Sequence, residues 1–397
     1  MRTTGHIRQR TPGSWEVRYN LGTDPATGKR RVATITVRGN RRDAEKELRR
    51  LLRTLDTGEH VDPTRITVRE WLVAWLGAVR GEISPKSHER YSEIVENFLV
   101  PALGNLPVVK LALSHIQQAY NAWVKGGRRD GKDGGLSAST RRYIHTILKS
   151  ALGRAVEQQV LVRNPADAFK RRLPKIERKE IVTLTAEESR HLLESLKDTR
   201  TYGPVMLALA TGMRRGEILA LRWKNVDLDR GVLRVVQSLE QTKNELRFKD
   251  TKTSRSRAIT LPTFAIEELR RLKRDQAQEL LALGVRQTGE TLACCRADGE
   301  ALQPRSVTHL FTLLRGRVKD VPPVRFHDLR HSHATQLLAG GVHPKIAQER
   351  LGHSTITTTM DLYSHVTDNM QADAAQRLDA AFRVAGKGLE VKNRSVR

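Results

Sequence analysis

The stretch from Val324 to Val366 reads VRFHDLRHSHATQLLAGGVHPKIAQERLGHSTITTTMDLYSHV. It brings together five polar side chains, His327, Arg330, His331, His353 and Tyr363. Spacings of three and four residues place the first three on one face of a helix. Imidazoles, a guanidinium and a phenol grouped in a basic chain indicate chemistry on phosphate.

The chain carries a large positive charge. It has 397 residues, 70 Lys and Arg against 44 Asp and Glu, and a net charge of +26. Such a charge favours a polyanionic partner, with nucleic acid first and an acidic membrane surface second. The length predicts two or three domains. No apolar run approaches the ~18 residues of a membrane span, and the start, MRTTGHIRQR, lacks a secretory signal. We expect a cytoplasmic, nucleoid-associated protein without a membrane partner.

Signals for a metal or a cofactor are weak. The adjacent Cys294 and Cys295 have neither metal-ligand spacing nor a disulfide framework, and we interpret them as small residues on a strand. The metal alternative depends on His327, His331, His333 and His353. With the nearby Asp328 and Asp361 they form no recognised ligand set. No glycine-rich phosphate loop is present, so we expect no metal and no cofactor.

Residues 1 to about 60 predict a small separate domain. Residues 14–21 and 31–37 alternate apolar and polar side chains as strands do, and residues 41–55 have helical spacing. We predict a three-stranded sheet packed on one helix, with two of its strands located here. Its basic residues include Arg18 and Arg31, which favours binding in a DNA major groove. The alternative is that these charges only solvate a small sheet.

Residues 65–172 predict a bundle of four or five helices, whose Trp and Tyr residues we interpret as core. The basic candidates for a DNA-binding face are Lys86, Arg90, Arg141, Arg142 and Lys149. For each of them, a solvated helix face is the alternative.

From Thr183 the pattern predicts a third, mainly helical domain with a small antiparallel sheet. Thr185 and Glu188 form a capping-box pattern. Strands are predicted at 231–239, 246–251, 257–261 and 291–295, and the principal helices at 213–223, 264–283, 305–318 and 368–382. Residues 386–397 are predicted to be disordered. The predicted fold class is therefore multidomain α+β.

Cleavage of a phosphodiester requires a nucleophile, positive charge for the non-bridging oxygens and an acid for the leaving oxygen. Tyr363 offers a phenol, whose free pKa of about 10 means that it needs help to ionise. Guanidinium groups such as those of Arg214 and Arg330 bind phosphate bidentately. His327 and His353 are suited to donating to the phosphate or relaying protons.

Lys252, in a predicted turn between two strands, is placed to protonate the leaving 5′ oxygen. A covalent phosphotyrosyl bond keeps the energy of the phosphodiester, so rejoining needs no ATP.

Three motifs resemble the tyrosine recombinase family, of the phage-integrase type: ATGMRRGEILALRW at 210–223, HDLRHSHAT from His327, and LGHS…DLYSHV from Leu351. The resemblance is strong over residues 180–385. Residues 65–172 are similar to the family's core-binding domain, and residues 1–60 to the arm-binding domain of integrases from phages and integrative elements.

The resemblance implies a catalytic set: Arg214, Lys252, His327, Arg330, His353 and the nucleophile Tyr363. Glu217 matches the family's acidic neighbour, and His331 is interpreted as support. Arg215, beside Arg214, and Lys249, three residues before Lys252, are the alternatives at two of these positions.

The family resemblance also implies a mechanism and partners. Each protomer would bind half of a core site in double-stranded DNA, and distal arm sites would bind the N-terminal domain. Strands would exchange in a homotetramer through 3′-phosphotyrosine intermediates, which would integrate and excise a phage genome or mobile element in a bacterial host. A DNA-bending protein and a directionality factor are expected partners. The segment 370–382 is expected to pack either on its own chain or on a neighbouring protomer.

Two other functions stay open at this point. A type IB topoisomerase-like nicking and closing enzyme shares the tyrosine chemistry, but relaxation alone needs no arm-site domain. A DNA-binding regulator that has lost catalysis is disfavoured by the complete residue set.

Overall fold

The computed structural model of the protein describes residues 5–23, 28–56, 66–176, 181–250 and 256–363, with positions 375, 378, 379 and 382. The chain divides into two compact units, Met1–Glu177 and Arg178–Arg397. Within the described residues, no helix is long and apolar enough to cross a membrane.

The first unit begins with an antiparallel sheet of order β1-β2-β3 and a helix. Its elements are β1 (Gly5–Thr11), β2 (Ser14–Thr23), β3 (Arg30–Arg38) and α1 (Arg41–Asp56). Pro12 and Gly13 form the turn between β1 and β2, and Gly13 has the positive φ of 77° that favours glycine. Strand β1 is almost wholly polar, which is why alternation did not locate it. The core includes Val17, Tyr19 and Ala44.

A helical bundle follows in the same unit. Its helices are α2 (Val68–Val79), α3 (Pro85–Ile94), α4 (Val100–Leu103), α5 (Leu113–Lys125) and α6 (Ala138–Glu157). A π-helical turn, Val95–Leu99, joins α3 to α4. Thr67 caps α2 in a capping box, and Ser84 and Ser137 cap α3 and α6. The buried rings of Trp71, Trp75, Tyr120 and Trp123 confirm the interpretation of these aromatic residues as core.

The second unit is mainly helical and contains two small sheets. The helices are α7 (Ala186–Leu196), α8 (Tyr202–Thr211), α9 (Arg215–Leu219), α10 (Thr263–Ala282), α11 (Pro304–Arg315), α12 (Asp328–Ala339), α13 (Pro344–Leu351) and α14 (Ile356–Tyr363). The strands are β4 (Val226–Asp227), β5 (Val232–Val235), β6 (Gln237–Gln241), β7 (Leu246–Asp250) and β8 (Arg257–Thr260). The α+β fold class is confirmed, and so is the capping box at Thr185.

Three expectations for this unit were wrong. Residues 231–239 are not one strand, because the chain changes partners at Val236: β5 pairs with β8, whereas β6 pairs with β7. Residues 291–295 form only isolated bridges at Leu292 and Cys295. The apolar side chains of this segment are buried in the core without strand pairing, which explains why the pattern resembled a strand. The helix expected at 213–223 is shorter, since α9 spans only Arg215–Leu219.

Helix α8 lies at the centre of the second unit, and every residue from Tyr202 to Thr211 is buried. It packs against α7, α9, α10 and α12. Helix α14 in turn packs against α12 and α13. The ends of α8, α12, α13 and α14 therefore meet in one region of the unit, where the candidate site lies. Most of the helix expected at 368–382, and all of the tail 386–397, lie outside the described residues.

Candidate active site

Two arginines bind backbone carbonyls at two helix ends. Arg330, on α12, is 3% exposed, and its Nη1 and Nη2 groups donate to the carbonyl oxygens of Gly212 at 2.6 Å and Leu351 at 2.7 Å. Arg214, the residue before α9, donates from Nη2 to the carbonyl oxygen of Gly352 at 3.0 Å. Because Leu351 and Gly352 are consecutive, one turn of the chain holds both guanidinium groups.

Glycine makes these two helix ends possible. Gly212 ends α8 and Gly352 ends α13, with φ values of +66° and +67° in the left-handed region. This conformation is a common way to end a helix, and glycine adopts it without strain. A Cβ atom at position 212 would lie 2.6 Å from both a ring carbon of His333 and a methyl carbon of Leu351. The close packing therefore also requires glycine.

Glu217 is the acidic residue of the site and is only 4% exposed. Its carboxylate accepts from Arg214 Nη1 at 3.0 Å and from the Arg214 backbone N–H at 2.9 Å. It also accepts two bonds from Arg257, at 3.1 and 2.6 Å. Burial raises the pKa of Glu217, but the hydrogen bonds and charges of Arg257 and Arg214 outweigh it and hold the pKa below its usual value. The carboxylate is therefore ionised at neutral pH.

Two of the three histidines in the HDLRHSHAT motif, His327 and His331, are in ring contact. His327 precedes α12 and is exposed, whereas His331 is half-buried one turn along. Their rings meet edge to face, with centroids 5.0 Å apart and planes at 88°. Asp328, beside them, accepts from the Nε and Nη2 groups of Arg325 at 2.9 and 2.8 Å and from the Arg325 backbone N–H. This pair fixes the first turn of α12.

His353 follows Gly352 directly. Its Nδ1 atom lies 2.9 Å from the hydroxyl oxygen of Thr359, a buried residue of α14. Its backbone is held by Gln348, through the carbonyl oxygen on one side and the side-chain amide on the other. The His353 ring is thus oriented beside the turn that holds both arginines.

The electrostatic environment keeps the imidazoles neutral. Burial, followed by the positive charges of Arg330 and Arg214, lowers the pKa of His353 to about 4. Partial burial and the charge of Arg330 lower the pKa of His327, and burial with the neighbouring His327 lowers that of His331 to about 4. A neutral imidazole has one N–H donor and one acceptor nitrogen. Burial lowers the pKa of Arg330 to about 9, which leaves it cationic at pH 7.

His333 belongs to a structural network behind the site. Its Nδ1 atom lies 2.7 Å from the carbonyl oxygen of Leu209, and its Nε2 atom accepts from Arg350 Nε at 3.1 Å. Arg350 also donates to the carbonyl oxygens of Thr260 and Ala210. These bonds tie α8, α12, α13 and β8 together. His333 is therefore a packing residue of this network.

Two members of the predicted catalytic set are less fully described. Lys252 lies outside the described residues, which omit 251–255. Tyr363 is the last residue of α14, and its side chain is outside the described part of the structure. The structure thus brings together Arg214, His327, Arg330 and His353 and ends α14 at Tyr363.

Comparisons with known proteins identify the family. The profile of the phage integrase family matches residues 182–370, and that of the phage integrase N-terminal SAM-like domain matches residues 67–124. Tyrosine recombinase XerA of Thermococcus kodakarensis is 32% identical over 216 residues, which cover 54% of this chain and 68% of that protein. The chain belongs to the phage integrase family of tyrosine recombinases. It is therefore an enzyme of DNA cleavage and rejoining, and site-specific recombination is its activity.

Relatives of this recombinase match it over most of its length. A XerC-like tyrosine recombinase of Caldanaerobacter subterraneus is 27% identical, with 86% of this chain and 90% of that protein covered. The ICEBs1 integrase of Bacillus subtilis is 27% identical, with 94% and 99% covered.

Solved structures show the same fold. The Tn1549 transposon integrase, in complex with transposon right-end DNA, superposes with a TM-score of 0.64 at 21% identity, over 79% of this chain and 99% of that chain. A lambda integrase tetramer bound to a Holliday junction gives a TM-score of 0.55 at 20% identity, over 88% and 96%.

The alternatives to two catalytic positions of the recombinase have other partners. Arg215 points to α11, where its guanidinium bonds the hydroxyl of Thr308. Lys249, on β7, forms an ion pair with Glu240 of the neighbouring strand β6. Arg215 is thus directed away from the turn that holds Arg214, and the choice of Lys252 over Lys249 stays a prediction.

The predicted DNA-contact residues all lie in the first unit, and most of them have partners there. Lys86 pairs with Glu89 at 2.6 Å, Arg90 with Glu93 at 3.0 Å, and Lys149 with Asp167 at 2.5 Å. Arg142 donates to the carbonyl oxygen of Pro174, and Arg141 is half-buried, with its Nε atom unbonded within the described residues. Arg18 is exposed on β2; Arg31 lies on β3 with its side chain outside the described part. Exposed ion pairs contribute little energy, and DNA contact stays a prediction for these residues.

Sequence reasoning missed three parts of the site. These are Arg257, Arg350 and the two glycines that end α8 and α13, none of which was among the predicted site residues. The glycines themselves were a signal that could have been found, because Gly212 and Gly352 each follow a helical run directly, where glycine commonly ends a helix. Cys294 and Cys295 are free and buried. Within the described residues, no group of three His, Cys, Asp or Glu side chains has the arrangement of metal ligands.

Proposed function

We propose that this chain integrates and excises a phage genome or mobile element by cutting DNA at a specific core site through Tyr363. One observation carries the proposal: a single turn, Leu351-Gly352, holds Arg330 and Arg214 directly before His353. Two guanidinium groups and an imidazole are then directed to one place, as a scissile phosphate requires.

The reaction follows from these groups. The Tyr363 oxygen attacks the phosphorus, the bond from phosphorus to the 5′ oxygen breaks, and a 3′-phosphotyrosine forms. Arg214 and Arg330 stabilise the negative charge that builds on the non-bridging oxygens. Lys252 gives the leaving 5′ oxygen its proton. Rejoining is the reverse attack by a 5′-hydroxyl, which releases Tyr363 without ATP.

The histidines assist as neutral groups in this proposal. The pKa of His353 is lowered to about 4 by burial and by Arg330 and Arg214. At pH 7 its imidazole therefore has one acceptor nitrogen and one N–H donor. His353 and His327 donate to the phosphate or take the phenolic proton of Tyr363, and His331 supports the His327 ring by edge-to-face contact.

We further propose three functional domains. Residues 1–60 bind arm sites, residues 65–172 bind the core site and residues 180–385 carry catalysis, with a short tail at 386–397. Strand exchange takes place in a homotetramer on double-stranded DNA, for which the DNA complexes of the Tn1549 and lambda integrases are support by analogy. A DNA-bending protein and a directionality factor assist. The net charge of +26 suits a nucleoid-associated protein in the cytoplasm of a bacterial host. The relatives named above are recombinases and integrases, so the topoisomerase-like alternative gains no support from them.

The decisive experiment replaces the nucleophile. Tyr363→Phe removes only a hydroxyl, so it should bind a core-site duplex as the wild type does and form no covalent complex on a nicked suicide substrate. Tyr202→Phe is the matched control, because it removes a phenol oxygen at the start of α8 and should still form the complex. A covalent complex of Tyr363→Phe, detected on a denaturing gel, would exclude Tyr363 as the nucleophile.

A further inference from the structure

Arg257 is the first residue of β8 and does not belong to the predicted catalytic set. Its side chain is only 14% exposed. The backbone of Arg257 pairs with Val235 of β5, so the small sheet fixes its origin. From there the side chain reaches two other elements, α9 and the end of α13. It therefore links the sheet to α9, which follows Arg214, and to the end of α13, whose carbonyls hold Arg214 and Arg330.

Each end of the Arg257 guanidinium has a partner. Nη1 and Nη2 donate to the two carboxylate oxygens of Glu217 at 3.1 and 2.6 Å, and Nε donates to the carbonyl oxygen of Arg350 at 3.0 Å. The group also packs on the backbone of Gly352, where an added Cβ would lie 3.1 Å from Arg257 Nη1. A planar fork of donors can form this set of bonds, whereas a lysine ammonium cannot.

The partners of Arg257 in turn contact or adjoin two candidate catalytic residues, Arg214 and His353. Glu217, its first partner, holds both the backbone and the side chain of Arg214. Gly352, on which it packs, accepts from Arg214 and precedes His353. The charges matter as well as the geometry, because one buried carboxylate faces two guanidinium groups. Arg257 shares in neutralising the negative charge of Glu217. Arg214, whose side chain is 45% exposed, therefore keeps part of its positive charge for a ligand.

We propose that Arg257 is a positioning residue for recombination, which holds Arg214 through Glu217 and holds the turn before His353 through Arg350 and Gly352. The inference rests on the proposed function, because Arg214 and His353 matter only if they act on the scissile phosphate. If Arg257 is lost, Glu217 is left with Arg214 as its cationic partner and draws that guanidinium towards itself, away from the phosphate.

The test is a double-mutant cycle measured by single-turnover cleavage of a nicked suicide substrate, with DNA affinity measured in parallel. Arg257→Met keeps the length and apolar bulk of the side chain but removes its donors. It should slow formation of the covalent complex by roughly 10- to 100-fold, the size expected for misplacement of a catalytic group. Its Kd for the core duplex should stay within about twofold of wild type, and Arg257→Lys should recover part of the rate. Adding Arg257→Met to Arg214→Ala should slow cleavage by clearly less than Arg257→Met slows the wild type, because the part of the effect that acts through Arg214 is already lost.

A control variant and three contrary outcomes complete the test. Arg234→Met replaces an exposed arginine on the neighbouring strand β5, opposite Ala258, and should cleave as the wild type does. Additive losses in the cycle, an equal loss of DNA binding and cleavage, or wild-type cleavage by Arg257→Met would each overturn the proposal. If Arg257→Met does not fold, as judged by circular dichroism, the cycle is run with Arg257→Lys. Tyr363→Phe, run beside it, separates the two proposals: if it still forms covalent complex, the proposed function fails, whatever Arg257 does.

Discussion

Arg214 donates a guanidinium N–H to the carbonyl oxygen of Gly352 at 3.0 Å, across 138 positions of sequence. Arg330 donates to the preceding carbonyl, that of Leu351, and to that of Gly212. Carbonyl groups orient a guanidinium without neutralising its full charge, which a carboxylate would do. Arg330, whose two nearest acceptors are both carbonyls, therefore keeps its charge for an anionic ligand although it is almost wholly buried.

We predict that Arg330→Ala loses most of its cleavage but little of its DNA binding. The rate should fall by about 100-fold or more, as it does when a donor to developing negative charge is removed. Binding should persist because many other basic residues are available for the DNA backbone. Band-shift affinity and the yield of covalent complex measure the two effects. Arg230→Ala, at a side chain that is 85% exposed, is the control. Parallel losses of affinity and cleavage would argue against a role in the transition state.

We predict that Gly212→Ala destabilises the protein more than Gly284→Ala does. Both positions have positive φ, +66° and +72°, so both substitutions are strained by roughly 1–2 kcal/mol. At Gly284 a Cβ meets open space, whereas at Gly212 it would lie 2.6 Å from His333 and Leu351. Overpacking should add about 1–3 kcal/mol at Gly212. Urea unfolding of the two variants measures the difference, and equal midpoints would show that the close contact relaxes freely.

We predict that stability falls as the pH is lowered from 7 to 5, with His333 contributing. Burial, then the charge of Arg350, lowers the pKa of His333 to about 4 in the folded protein. The unfolded chain takes up this proton near pH 6.5, so the contribution is complete above that value and is lost as the pH falls towards 4. The loss by pH 5 should be about 2 kcal/mol.

Urea midpoints at the two pH values measure the effect on the wild type and on His333→Gln. The variant should show a smaller fall than the wild type. His309→Gln, at an exposed position on α11, serves as the matched control. A fall of the same size in His333→Gln and in the wild type would mean that other groups cause it.

We predict that a chain lacking residues 1–64 still cleaves the core site but no longer binds the distal arm sites on the DNA. The sheet and α1 have a hydrophobic core of their own, separate from that of the helical bundle. Their removal should therefore leave the bundle and the second unit folded. Footprinting on the attachment DNA compares the regions protected by the full chain, by the shortened chain and by the full chain with Arg18→Ala. Identical footprints would mean that the N-terminal domain has another role.

Much of the architecture could be predicted from local patterns. The helix start at Thr185 was predicted from the sequence, because a cap and its partner lie only three residues apart. The long amphipathic helices followed from apolar spacing in the same way. Strand β1 could not be found, since a polar edge strand buries too little apolar surface to show alternation. The change of strand partners at Val236 was also invisible, because pairing depends on residues far along the chain.

The sequence by itself determined the family, through three motifs whose residue types and spacing are specific, and it nominated the candidate catalytic residues. Only the tertiary structure decided how those residues are held. It showed that Arg330 is bound by carbonyls at two helix ends, that Arg215 points away to Thr308, and that Arg257 reaches Glu217 across 40 positions. The physical reason is that helix formation depends on neighbours three or four residues apart. A hydrogen bond between distant elements depends instead on how those elements pack.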